Sequence, residues 1–273
     1  MEKGKFILLE SLTCGGKGKQ ATRLKKFLES KGIPALIYVE PTPSSSVGRM
    51  IRKIIEKQEI GEAFVQNSFI PEVLGYIVGL GVSGVFLKGQ ECNDVVKEFA
   101  GLLNDAMVKI KNHKKLTNRE LQSLYVMDRH LDLRENIIPA LKKGIWVIQD
   151  RYDRSTMAFG EAFGGVTIEE VYKWHLHALG EEYILPDYDF FIRIKPETAM
   201  KRLEKDGKMK DQFEQKLDGL KKTAMAYEKA TLFVCKQYAL QDPPREFVIV
   251  IDGEQSEQKV FDDITEKMTE AFL

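Results

Sequence analysis

Short continuous apolar runs alternate along the chain with longer segments whose apolar residues return every three or four positions, the pattern of buried strands and amphipathic helices. The first run, Phe6 to Leu9, leads into a glycine-rich turn and then a segment with Ala21, Leu24, Phe27 and Leu28 at helical spacing. Ala35 to Val39 is a second run, closing on Glu40-Pro41. A strand, a helix and a strand of this length predict a βαβ unit with parallel strands and a right-handed crossover. Ligands bind at the carboxyl ends of such strands, so Ser11 and Glu40 should border one crevice. Pro41, Pro43 and Ser44 to Ser46 then make a loop before a helix expected from about Val47 to Glu56.

From about Gln58 to Lys115 the pattern changes. Phe64 to Val82 is apolar and rich in glycine and reads as a buried helix, and Val95 to Ile110 is amphipathic. Pro71, Glu72, Gly75, Gly79, Gly81 and Gly84 interrupt the apolar stretch and argue against a membrane helix. Thr117 with Glu120 has the spacing of a capping box, opening a long helix to about Lys143. Gly144 to Gln149 reads as a buried strand, Thr167 to Leu179 as a helix, Tyr188 to Ile194 as a strand and Pro196 as a helix start. After a charged loop at Lys205 to Lys210 come a long helix from Gln212 to about Gln237, a strand from Phe247 to Ile251 and a closing helix from Ser256 to Phe272. Five strands alternating with helices predict a doubly wound α/β domain over residues 1–273: a five-stranded parallel sheet with helices on both faces and a helical insertion at 58–115.

Composition narrows the function. The 41 Lys and Arg balance the 41 Asp and Glu, so nothing global argues for a nucleic acid or an acidic membrane surface, and any anion site must be local. Cys14, Cys92 and Cys235 are odd in number and far apart, with no metal-ligand spacing, which fits a reducing compartment. The N-terminus runs into a charged strand without a signal-peptide pattern, and the expectation is a cytoplasmic protein.

Four clusters carry candidate chemistry. The turn between the first strand and helix holds Thr13, Cys14, Gly15, Gly16, Lys17, Gly18 and Lys19. Unpaired N–H groups at a helix N-terminus can cradle phosphate, and lysine adds the charge a polyphosphate wants. Two frames of the phosphate-loop pattern compete, on Lys17 and on Lys19, and each lacks its first glycine and its final hydroxyl. Tyr125 and Arg129 lie four apart on a helix and share a face, an aromatic and guanidinium pair suited to a planar base or else part of a surface salt-bridge lattice with Asp128, His130 and Asp132. Asp150-Arg151-Tyr152-Asp153-Arg154-Ser155 follows a strand; its arginines can grip phosphate oxygens, and Asp150 stands where a ligand for metal-bound water is wanted. Lys109, Lys111, His113, Lys114 and Lys115 form a basic cluster, read as a solvated face rather than a phosphate contact. His175 and His177 are two apart and face different sides, against a shared metal.

Three of these stretches together resemble the thymidylate kinase family of P-loop nucleoside monophosphate kinases. The family's opening reads F-I-x-L-E-G-x-D-x-x-G-K-S-T-Q, and Phe6, Ile7, Leu9, Glu10, Gly16, Lys17 and Gln20 fall into register, which selects Lys17 over Lys19. Glu40-Pro41 resembles the end of its R-E-P, Tyr125 to Arg129 its aromatic and arginine helix, and Asp150-Arg151-Tyr152 with Ser155 its D-R-Y-x-x-S. The resemblance covers about residues 5 to 57 and 117 to 272, with no counterpart seen for 58 to 115.

It implies a P-loop NTPase-type fold and ATP-dependent phosphorylation of a nucleoside monophosphate, dTMP first, with Mg2+ accompanying ATP. Thr13 to Lys19 would hold the ATP phosphates, and Arg151 would sit between donor and acceptor. Tyr125 would stack on the acceptor base with Arg129 reaching its edge. Glu40, Ser155, Thr156 and Phe159 would complete the acceptor site, Asp150 and Glu40 would hold magnesium through water, and 205–212 would be a lid. Asp252 to Gln255 would lie beside the donor adenine. Members of the family are commonly dimers, so the resemblance also implies a homodimer, whose interface the apolar insertion either supplies or blocks. The departures are Gly18 for the hydroxyl that ligates magnesium, Thr13 for the loop aspartate, and Val39 for the arginine before Glu40. They leave open two alternatives: a catalytically impaired nucleotide-binding sensor or scaffold, and a kinase for another nucleotide.

Overall fold

The computed structural model describes residues 3–84, 90–205, 217–240 and 248–269. Of the expected lid at 205–212 only Lys205 falls within them, and the expected helix start at Gln212 lies outside. Five strands, β1 (Phe6–Ser11), β2 (Ala35–Val39), β3 (Trp146–Asp150), β4 (Tyr188–Arg193) and β5 (Ile249–Asp252), form one all-parallel sheet in the order β2-β3-β1-β4-β5. Around it run α1 (Lys17–Ser30), α2 (Ser46–Ile55), α3 (62–84), α4 (Gln90–Lys111), α5 (118–142), α6 (Asp153–Phe163), α7 (168–179), α8 (Pro196–Lys205), α9 (Leu217–Ala239) and α10 (Glu257–Thr269). The capping box expected at Thr117 and Glu120 is formed and opens α5.

Side chains alternate across a strand, so Phe6 and Leu8 enter one core and Ile7 and Leu9 the other. The Ile7 side is closed by α1 and α10; the Phe6 side carries the thicker layer, α2 to α9. This is the predicted doubly wound sheet. Its register matters for function, because Leu9 lies opposite Asp150 and Asp150 opposite Val39. Glu10, Ser11, Glu40 and Arg151 therefore emerge at one rim. The chain leaves β1 for α1 on one face and β3 for α6 on the other, and between those exits the sheet opens a crevice.

The apolar stretch expected as a buried helix is helical but buried along one edge only. Val65, Phe69, Val73, Tyr76 and Leu80 face the core, whereas Leu74 and Val78 are 45% and 66% exposed. Glu62–Leu80 is, among the described residues, the one helix long and apolar enough to meet the length and composition of a membrane span. Its buried edge is tied to α5 by a hydrogen bond between the Tyr76 hydroxyl and His130 Nδ1, 2.6 Å.

The loop between β2 and α2 is pressed against the helix it leads into. A Cβ at Gly48 would stand 2.1 Å from the Thr42 carbonyl oxygen. The Thr42 N–H and the Ser45 hydroxyl both donate to the buried Asp128 carboxylate on α5, anchoring the loop from the other side. One turn further along α5, Asp132 is also buried and receives Asn136 Nδ2 at 2.7 Å. Burial pushes the Asp132 carboxyl up to about 6, and the Asp128 charge adds to the effect.

Gly48→Ala is expected to cost about 2–3 kcal/mol of stability by overpacking. Gly75→Ala, on α3 with nothing within 4 Å of its added carbon, should stabilise by about 0.5–1 kcal/mol through helix propensity. Urea unfolding of both variants checks the contrast, and equal effects would contradict it. A folded-state pKa above the unfolded value means the stability from Asp132 is full below pH ~4 and is lost as pH rises through about 6. Asp132→Asn should therefore gain in melting temperature relative to the parent as pH goes from 4.5 to 7.5; a constant difference would refute the assignment.

Candidate active site

The glycine turn has the backbone of an anion cradle. Cys14 and Gly16 are left-handed, with φ of 54° and 92°, and a Cβ at Gly15 would collide with Ser11 Oγ at 1.7 Å. Gly16 is the N-cap of α1 and brings no side chain to its first N–H groups. Lys17, 6% exposed, folds back under the loop, its Nζ donating to the carbonyls of Ser11 and Leu12 at 3.3 Å each and lying 3.8 Å from Asp150 Oδ1. The loop opens on a cavity of about 580 Å³ lined by Thr13 to Gln20, Asp150, Arg151, Arg202, Gly253 and Gln255. Arg202 bridges its two sides by donating to the carbonyls of Cys14 and Gly253. Lys19, at the rim, pairs with Glu257.

The turn after β3 is held from β1. Glu10 is fully buried, and its carboxylate accepts from Tyr152 N at 2.8 Å, Ser155 N at 3.1 Å and Ser155 Oγ at 2.7 Å. Arg151 takes a left-handed φ of 75° and donates to the Tyr227 hydroxyl at 2.9 Å and Ser155 Oγ at 3.2 Å. Burial and the nearby Glu10 charge push the Tyr227 hydroxyl up, so it stays protonated and bridges the two. Glu10 was legible only as a motif position and Tyr227 not at all: an acid ending an apolar run is the one signal the sequence offers for either.

A second cavity, about 190 Å³, lies on the other side of Arg151. Glu40, Tyr125, Ser155, Thr156 and Phe159 line it together, joined by Ile55 and Gln122, which the sequence did not single out. Thr13 and Arg151 line both cavities.

Arg129 is a correction. Spacing put it on the Tyr125 face, but its guanidinium is 1% exposed and lies outside the lining of this cavity. It donates through Nε to Glu40 Oε1 at 2.8 Å and through Nη2 to Glu40 Oε2, to the Tyr152 carbonyl at 2.8 Å and to Thr156 Oγ1 at 3.0 Å. Nη1 donates to His175 Nε2 at 2.6 Å. Burial, then the Arg129 charge, hold the His175 pKa well below its ordinary value, so the ring is neutral and its Nδ1–H donates to the Val171 carbonyl. In place of a surface lattice with Asp128, His130 and Asp132, Arg129 holds a buried network with Glu40, Thr156 and His175. Both carboxylate oxygens of Glu40 are bound by Arg129, and Glu40 lines the smaller cavity together with Thr13 of the glycine turn and Arg151. Of the two expected ligands for metal-bound water, only Asp150 borders the loop cavity.

Comparison with known proteins bears on this arrangement. A family model described as Thymidylate kinase matches residues 97–264, beginning inside the segment 58–115 and leaving the glycine turn outside. The chain is similar to the thymidylate kinase of Buchnera aphidicola subsp. Acyrthosiphon pisum (strain APS), 25% identical over 269 residues, covering 98% of this chain and 96% of the relative. It is 30% identical over 260 residues to the thymidylate kinase of Blochmanniella pennsylvanica (strain BPEN), covering 94% and 91%. A probable thymidylate kinase of Archaeoglobus fulgidus is 32% identical over 151 residues, 53% of this chain and 73% of the relative.

Removing one partner of a buried ion pair leaves the other charge uncompensated. Arg129→Ala should therefore cost about 3–5 kcal/mol of unfolding free energy in the absence of any ligand. An unchanged urea midpoint would show that the guanidinium does not hold the cavity wall.

Proposed function

The chain belongs to the thymidylate kinase family, and from that premise we propose that it transfers the terminal phosphoryl group of ATP to a nucleoside monophosphate, dTMP first among them. The observation that carries this reading is the pair of cavities meeting at Arg151 and Thr13, one under the glycine turn and one faced by Tyr125 and Phe159. Transfer between two bound nucleotides needs two sites with a cation between them.

In this reading an oxygen of the acceptor phosphate attacks the terminal phosphorus of ATP, the bond to the bridging oxygen breaks, and ADP and a nucleoside diphosphate leave. The protein contributes position and charge. Lys17 leaves its loop carbonyls to meet the donor phosphates, while the α1 N–H groups cradle them. Arg151 neutralises charge on the group in transit, its direction set by Tyr227 and Ser155. Tyr125 and Phe159 offer ring faces to the acceptor base. Arg129 acts through Glu40 and Thr156, shaping the acceptor wall without touching the base.

The donor set fits a magnesium ion that arrives on phosphate. Magnesium takes one or two carboxylates with substrate oxygens and water, and the Asp150 carboxylate borders the cavity beside Lys17. Asp150 would hold it, and the ion would neutralise charge on the donor phosphates. Among the described residues no group of three or more His, Cys, Asp or Glu side chains could hold a metal without such help.

Gly18 favours a second reading, a nucleotide binder with impaired turnover. A Cβ there would lie 3.7 Å from Asp150 Oδ2, so a serine has room where a metal-ligating hydroxyl is wanted. Coupled ADP release with ATP and magnesium against dTMP, dUMP, dCMP, dGMP and dAMP tests both readings. We expect turnover that depends on the acceptor, a fall in kcat of about 10²–10³ in Arg151→Ala, and a rise of about tenfold in Gly18→Ser. Tight binding of ATP without turnover in either the parent or Gly18→Ser would replace the kinase with the binder.

A further inference from the structure

A third cavity, of about 1040 Å³, shares no residue with the two described above. It lies where the end of α2 and the turn after it meet the connection between α4 and α5. Its floor is apolar: Ile54, Ile60, Ile110, Leu121 and Phe163, with Ile110 and Leu121 buried and Phe163 stacked on Phe159. Around that floor stand Lys53, Lys57, Lys114 and Lys115, against one carboxylate, Glu59, with His113 among them. In a chain of zero formal net charge this is a local concentration of positive charge over a concave apolar surface, a geometry that focuses an attractive field on anions.

The ordinary explanation for lysines near helix ends is the negative partial charge of the last carbonyls. It accounts for Lys53 and Lys109, which lie within the final turns of α2 and α4; Lys53 also donates to the Glu59 carbonyl and Lys109 pairs with Glu120 at 2.6 Å. It does not account for Lys57, Lys114 and Lys115, which lie beyond the helix ends and, among the described residues, have no carboxylate partner. Both lips of the cavity are also turned by residues in the left-handed region, Lys57 and His113, each at φ 54°. Glycine would take that conformation without strain, yet a basic side chain stands at both.

We propose that this cavity binds an organic phosphate, a small molecule with at least two negative charges and an apolar or planar body. Lysine ammonium groups on flexible stems suit a phosphate whose exact position varies, and the apolar floor takes the body. The basic groups gather around one concave floor instead of running along a ridge, which favours a compact ligand over an acidic peptide.

Calorimetric titration of the full chain with 1-naphthyl phosphate tests the site. The expected result is the same Kd for the parent and Lys17→Ala, with a rise of at least tenfold in the double variant Lys57→Glu, Lys114→Glu and a several-fold rise in Phe163→Ala. Inorganic phosphate should bind at least tenfold more weakly than the naphthyl ester. The two reversed lysines are exposed, so an unchanged melting temperature for the double variant separates lost binding from lost folding. Three results would overturn the proposal: a Kd unmoved by the lysine reversals, binding lost in Lys17→Ala, or a hexaglutamate peptide binding as tightly as the naphthyl ester.

Discussion

The Glu10 carboxylate is the interaction on which the crevice depends. It stands at the end of the central strand, sealed from solvent, and takes up the N–H groups of Tyr152 and Ser155 at the entrance to α6. Those are the donors a helix start leaves without partners, and a carboxylate there is favoured by both hydrogen bonding and the helix dipole. The anchored turn includes Arg151, whose left-handed backbone costs about 1–2 kcal/mol and persists because neighbours over-determine it. A buried charge on β1 thus fixes a strained arginine on the neighbouring strand's exit. Parallel register does the rest, since Leu9, Asp150 and Val39 are level across three strands.

The second buried charge cluster closes the smaller cavity. Glu40 at the end of β2 and Arg129 on α5 are 89 residues apart and meet through two hydrogen bonds, with His175 and Thr156 filling the guanidinium's other donors. Such a pair is costly to desolvate and earns little net stability, but breaking it strands a charge in the interior. Its value lies in specifying position. It locks the β2 exit, α5, α6 and α7 into one arrangement, and these carry most of the residues presented to the cavity, with Thr13 of the glycine turn and Ile55 of α2 added.

The division between what the sequence disclosed and what it hid follows the same line. Strands and helices were legible because burial of each face leaves its own periodicity, and the capping box at Thr117 and the glycine turn are local chemistry. Arg129 misled because spacing reports which residues share a helix face and says nothing of what packs there. A partner from β2 captured the guanidinium while Tyr125, one turn earlier, reached the cavity. The same capture binds both carboxylate oxygens of Glu40. Tyr227 left no trace because its part in directing Arg151 arises wholly from tertiary contact. In 62–84, hydropathy showed a helix but could not show that one apolar edge faces outward, at Leu74 and Val78.

The two sides of the crevice are built from different materials. The loop side is shaped by backbone: left-handed Cys14 and Gly16, and Gly15 packed on Ser11. Its form needs no side chain at position 18, which borders the loop cavity. The other side is shaped by side chains whose hydrogen bonds run into the core, from Thr156 through Arg129 to His175 and Val171. A change in that chain must be absorbed by buried polar groups with no water to replace a lost partner. The fold therefore resists change at the wall of the smaller cavity and at Gly15, and leaves room at position 18.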